Sequence, residues 1–255
     1  MNTADPLLVP LWTPPQPVAR NVELFLFDLD HSLAHDEPKP HIRRRAVGRR
    51  VLLHLLASRL GVAPEDIEIG RAAGGKPMLH CPQSPLAFSV SYTRRWFAAA
   101  LTQGTYTWSE TGSEFTLERV LPVPSGEDTL KRELQTQIGV DVETLDPTIE
   151  AMETAHHHFH PNELAHLQSL APADRPLAFY RLWTAKEAVL KALGTGLSLD
   201  SRQVEIEPGP VPRLRMAGYS MHLNLWQLPI AGDTLILALA RPTHPGQPIS
   251  TFAEP

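Results

Sequence analysis

The sequence predicts an α+β fold built from two similar halves, and three observations carry that prediction. Strand-like and helix-like segments follow one another in the same order twice along the 255 residues. A polar, turn-rich stretch at residues 102–136, weakly periodic, separates the two runs and reads as a linker. The 25 prolines, about twice the usual share of roughly 5%, cluster at residues 6–17, 208–212 and 242–255, where they mark stiff connectors and a frayed end. The boundaries that follow are an N-terminal half at 1–110, a linker or insertion at 111–136, a C-terminal half at 137–241 and a tail at 242–255.

Each element has a local reason. Residues 22–30 (VELFLFDLD) alternate like a strand. Val47, Val51, Leu52, Leu55, Leu56 and Leu60 recur at helical spacing until Gly61 stops the helix. A strand and a glycine turn follow at 67–79, then a strand at the start of 86–102 with a second strand or a helix start after it. In the second half, "QIGVDVETLD" at 137–146 reads as a buried strand, and "HPNELAHLQSL" opens a helix behind a Pro-Asn cap. A long helix over "PLAFYRLWTAKEAVLKALG" ends at Gly194, and the remaining apolar stretches form a small antiparallel sheet.

Composition excludes several classes. A formal charge of -5 argues against a general nucleic-acid binder. No apolar run approaches the ~18 residues that a membrane helix needs, and the N-terminus lacks a signal-peptide pattern. The single cysteine, Cys81, excludes an intramolecular disulfide and fits a reducing, cytoplasmic setting; no motif around it marks a nucleophile. Four histidines within residues 156–160 suggest a transition-metal site by composition, but consecutive side chains rarely converge on one ion.

The chemistry concentrates in two places. Strand side chains alternate faces, so Asp141 and Glu143 share one. Two like charges there repel and desolvate each other unless a cation sits between them, or unless the face is simply solvated. On the long helix, Trp183, Glu187 and Lys191 fall at i, i+4 and i+8, with Lys186 beside Glu187. An i, i+4 Glu-Lys pair also occurs on ordinary solvent-facing helices, although that does not account for Trp183. Magnesium takes oxygen ligands, few carboxylates and substrate phosphates, so Asp141, Glu143 and Glu187 would supply a partial shell. Arg44, Arg49, Lys76 behind its Gly-Gly turn, the Ser91 hydroxyl, Lys186 and Lys191 are candidate phosphate partners.

Taken in order, "GGKP", "FSVSYT", "IGVDVE" and "FYRLWTAKEAVLKALGTGLSL" resemble the four signature blocks of the Sfp-type 4'-phosphopantetheinyl transferases, over about residues 40–200. The resemblance implies a pseudo-dimer of two α+β halves with the active site in the cleft between them. It implies Asp141, Glu143 and Glu187 as ligands of Mg2+, with Mn2+ able to substitute. Lys76, Ser91, Lys186 and Lys191 would hold the phosphates of coenzyme A, and Arg44 and Arg49 its 3'-phosphate. Tyr92 stands where the family carries a histidine, and would give one hydrogen bond without a cationic form near neutral pH. Glu187 and Lys191 would be the catalytic pair. The implied reaction loads a serine of an apo acyl, peptidyl or aryl carrier protein and is carried out by a cytoplasmic monomer. A coenzyme A- or nucleotide-binding protein of the same fold without turnover is the alternative, and a pure scaffold is a third.

Overall fold

The computed structural model describes residues 10–16, 18–19, 21–30, 40–72, 75–82, 84, 86–103, 138–195 and 199–243. The expected linker at 111–136 lies outside them, as does nearly all of the expected tail.

Two three-stranded antiparallel sheets form the centre. The first comes from β1 (Val22–Asp28), β4 (Leu86–Thr93) and β5 (Trp96–Gln103), in the order β1-β5-β4. Helix α1 (Pro40–Leu60) follows β1, and a hairpin of β2 (Glu68–Arg71) and β3 (Pro77–Cys81) precedes β4. The second sheet has the order β6-β10-β9, from β6 (Gly139–Thr144), β9 (Met221–Ile230) and β10 (Asp233–Pro242). Helices α2 (Ala151–His158), α3 (Pro161–Ser169) and α4 (Arg175–Leu193) lie between β6 and a short hairpin of β7 (Glu205–Glu207) and β8 (Arg213–Arg215). The stretch beginning at Trp96, open between strand and helix in sequence, is thus a strand. The histidines at 156–158 close α2, a helix the sequence pattern did not announce.

Strand alternation builds the layers. On β5, Phe97, Ala99 and Leu101 pack with Val51, Leu52 and Leu56 of α1. Trp96, Ala98 and Ala100 point the other way, into a core shared with Val140 and Val142 of β6 and Leu235, Leu237 and Leu239 of β10. The opposite face of β10, at Ile236, Ala238 and Ala240, packs on α2, α3 and α4. Helix, sheet, sheet and helices therefore stack in that order. The central strands β5 and β10 are buried on both faces, so they read as continuous apolar runs rather than half-buried alternation. The N-terminal segment seals this seam: Leu26 N–H donates to the Trp12 carbonyl at 3.0 Å, and the Trp12 and Trp226 ring centres are 5.7 Å apart. Leu11 and Trp12 are thus tied to β1 through their backbone.

Two glycines permit the closest approaches. A Cβ on Gly139 would sit 1.9 Å from the Ala188 carbonyl oxygen, so α4 lies directly on β6 backbone to backbone. A Cβ on Gly48 would sit 2.5 Å from the Tyr92 ring, so the ring fills the notch that glycine leaves in α1.

Candidate active site at the seam of the two halves

Strands β4 and β6 are edge strands of their own sheets and lie against each other across the seam. Side chains stitch them together. Val140 N–H donates to Ser89 Oγ at 3.0 Å, and Thr144 N–H donates to Thr93 Oγ1 at 3.3 Å. Ser91 Oγ donates to Asp141 Oδ1 at 2.7 Å, and Thr93 Oγ1 donates to Glu143 Oε2 at 3.1 Å. The period of two aims Ser89, Ser91 and Thr93 at one neighbour, while Tyr92 faces α1.

The cation that the Asp141–Glu143 pairing asked for is present. Lys191 Nζ lies 2.6 Å from Asp141 Oδ1 and 2.9 Å from Ser91 Oγ, reaching across from α4. It answers only part of the charge. Asp141 is 3% exposed, and its Oδ2 is buried with no hydrogen-bond partner among the described residues. Burial, then the neighbouring Asp141 charge, pushes the Glu143 carboxyl up to about 7, against the opposing contributions of Thr93, Trp183 and Lys191. Burial and Asp141 likewise raise Glu187, and Lys191 works against them. Glu143 and Glu187 thus each sense the Asp141 charge. Among the described residues, however, no group of three His, Cys, Asp or Glu side chains stands ready to hold a metal.

These residues fit a magnesium ion that completes its shell with substrate oxygens rather than one caged by protein alone. The bare Asp141 Oδ2 is a buried acceptor left unpaired, which costs free energy until something positive or a donor meets it.

Other expected residues fall into three groups. Lys76 reaches the seam, where its Nζ donates to the Ile138 carbonyl at 2.9 Å and burial lowers its pKa to about 8. Arg44 is engaged by Asp30 through two bonds of 2.8 and 2.6 Å, whereas Arg45 and Arg49 are exposed and make no ion pair among the described residues. The Tyr92 phenol feels both Arg45 and Arg49, and burial nevertheless pushes it up to about 12. Tyr92 therefore belongs with the α1 arginines rather than with the carboxylates.

Lys186 needs correction. The sequence reading placed it on the phosphates, but it is 1% exposed and directed into the C-terminal core, where it pairs with Glu163 at 2.9 Å. One residue of helix turns a side chain by about 100°, which separates its surroundings from those of Glu187. Two participants were missed. Thr93 was available from the alternation that had already selected Ser91. Trp183, flagged only for sharing a face, acts to lower the Glu143 carboxyl.

The sequence of the C-terminal half, at residues 137–240, matches the family model of the 4'-phosphopantetheinyl transferase superfamily. Over 203 residues the chain is 30% identical to the 4'-phosphopantetheinyl transferase HetI of Nostoc sp., covering 78% of this chain and 71% of that protein. It is 26% identical over 172 residues to the 4'-phosphopantetheinyl transferase of Bacillus subtilis, covering 66% of this chain and 61% of that protein, so it spans under two thirds of that relative. A holo-(acyl-carrier-protein) synthase from Bacillus anthracis, solved in complex with CoA (3',5'-ADP), is also similar. It has 22% identity and a TM-score of 0.35, and the match covers 41% of this chain and 93% of that one. The chain belongs to the 4'-phosphopantetheinyl transferase superfamily, a group of enzymes.

Proposed function

We propose that the protein moves the 4'-phosphopantetheine arm of coenzyme A onto a serine hydroxyl of an apo carrier protein and releases adenosine 3',5'-bisphosphate. The observation that carries this reading is Asp141: a buried carboxylate at the seam, with one oxygen held by Lys191 and Ser91 and the other bare. No helix among the described residues is long and apolar enough to cross a membrane.

Asp141, Glu143 and Glu187 would hold a magnesium ion, which supplies charge neutralisation at the pyrophosphate as its phosphorus–oxygen bond breaks. The chain's own residues do the rest. The serine oxygen attacks the phosphorus that carries the pantetheine arm, and the bond to the adenosine bisphosphate breaks. Lys191, already beside Asp141, offers an ammonium to the negative charge that grows on the leaving oxygen. Glu187 is the candidate to take the serine proton, directly or through a water. Arg45 and Arg49, beside the neutral Tyr92 phenol, form an exposed cationic surface on the N-terminal half suited to the 3'-phosphate, with Arg49 the expected contact. Arg44 would first have to release Asp30.

The test is a mass-shift assay with the full chain, coenzyme A, magnesium and a panel of apo carrier proteins. A gain of one phosphopantetheine on a carrier, abolished by chelator and by Asp141→Ala in a variant still folded by circular dichroism, is the expected result. Coenzyme A binding without transfer to any carrier would assign the protein to the binding class instead.

A further inference from the structure

A buried ion pair lies in the helical layer behind the site, and the reaction proposed above does not use it. Lys186 Nζ sits 2.9 Å from Glu163 Oε2 and donates to the carbonyls of Ser201, at 2.9 Å, and Val204. Glu163, 1% exposed, accepts from the backbone N–H of His160 at 2.8 Å and of Ile206 at 2.7 Å. Those partners belong to the start of α3, the turn at Ser201–Gln203 and the edge and body of β7. Two side chains thus tie α4 to three other segments through directed bonds. The Lys186 ammonium also stands 5.5 Å from the centre of the Phe159 ring. Phe159 stacks on Phe179 at 5.2 Å and 10° and on Trp183 at 6.3 Å and 21°, and Trp183 stands one turn before Glu187 on α4.

A buried ion pair is a poor way to gain stability, because removing two charges from water offsets most of their attraction. What it supplies, and apolar packing does not, is direction. We propose that Glu163 and Lys186 are positioning residues for the transfer reaction. They fix the rotation and axial level of α4, and through it Glu187 and Lys191, and they brace the aromatic stack that includes Trp183, one turn before Glu187. A helix advances about 1.5 Å and turns about 100° per residue. A small slip of α4 would therefore move both catalytic side chains together, and misplacement by about 1 Å can cost ~100-fold in rate.

The inference rests on the function proposed above, and its test keeps the two apart. Lys186→Met removes the cation; Glu163→Gln keeps shape and acceptor oxygen but removes the charge. Circular dichroism melts of both full-length variants first set a temperature at which each is folded. At that temperature kcat, KM for coenzyme A and the calorimetric magnesium isotherm are measured. The expected result is a kcat lowered about 10- to 100-fold in Lys186→Met, less in Glu163→Gln, with weaker magnesium binding and little change in KM. Folded variants with parental kcat and a parental isotherm would reduce the pair to a stabilising contact and overturn the proposal. An inactive parent chain would instead overturn the assigned reaction. The positioning role would then stand if the variants weaken magnesium binding and fall if they do not.

Discussion

Glu143 is the residue whose ionisation the fold resists most openly. Its carboxyl is raised to about 7 by burial and by Asp141. With a folded-state value above the unfolded one, the native protein holds the extra proton between pH about 4.5 and about 7. Native stability at this residue is therefore greatest below that window and declines as pH rises through it. In chelator, the melting temperature of Glu143→Gln should fall less from pH 4.5 to 8 than that of the parent; parallel curves would contradict the assignment. A magnesium ion held as proposed would compete with the same proton, so its affinity in the parent should climb across the window and then level off.

At the scale of elements, the contact of α4 with β6 decides whether the site exists. Gly139 allows it, since a Cβ there would meet the Ala188 carbonyl at 1.9 Å and the Ala192 nitrogen at 2.4 Å, both rigid backbone. Gly139→Ala must push α4 away and draw Lys191 from Asp141. Overpacking of this kind costs about 1–3 kcal/mol, and a thermal melt should record a drop of several degrees together with lost transfer; an unchanged melt and turnover would refute the close-contact argument. The pairing of β6 with α4 was legible in sequence because both elements carry strong periodicity and their charged residues break it. The direction of Lys186 was not. Its partners come from residues 163, 201 and 204, and no local pattern connects those positions to the helix. Helix α2 escaped notice for a related reason: a run of histidines has little helical periodicity, and its burial rests on Ala151 and Ala155 alone.

For the molecule as a whole, the sequence anticipated two α+β halves but not how they meet. Apolar runs on β5 and β10 announce burial without naming the partner layer, and only the structure joins them face to face. The carboxylates of one half are held by hydroxyls of the other, so neither half owns a finished centre. This common oily layer gives the two pieces a reason to find each other even without a peptide link. Produced as separate chains covering residues 1–103 and 138–255, each would bare its share of the seam, Leu24, Leu26 and Trp96 on one and Val140, Leu237 and Leu239 on the other, and should self-associate or precipitate alone. Co-expressed, they should recombine into a complex that elutes as one species and regains carrier loading, in the manner of a split reporter. Independent solubility of both pieces, with no recovered activity on mixing, would mean that the seam is a surface contact rather than a shared interior.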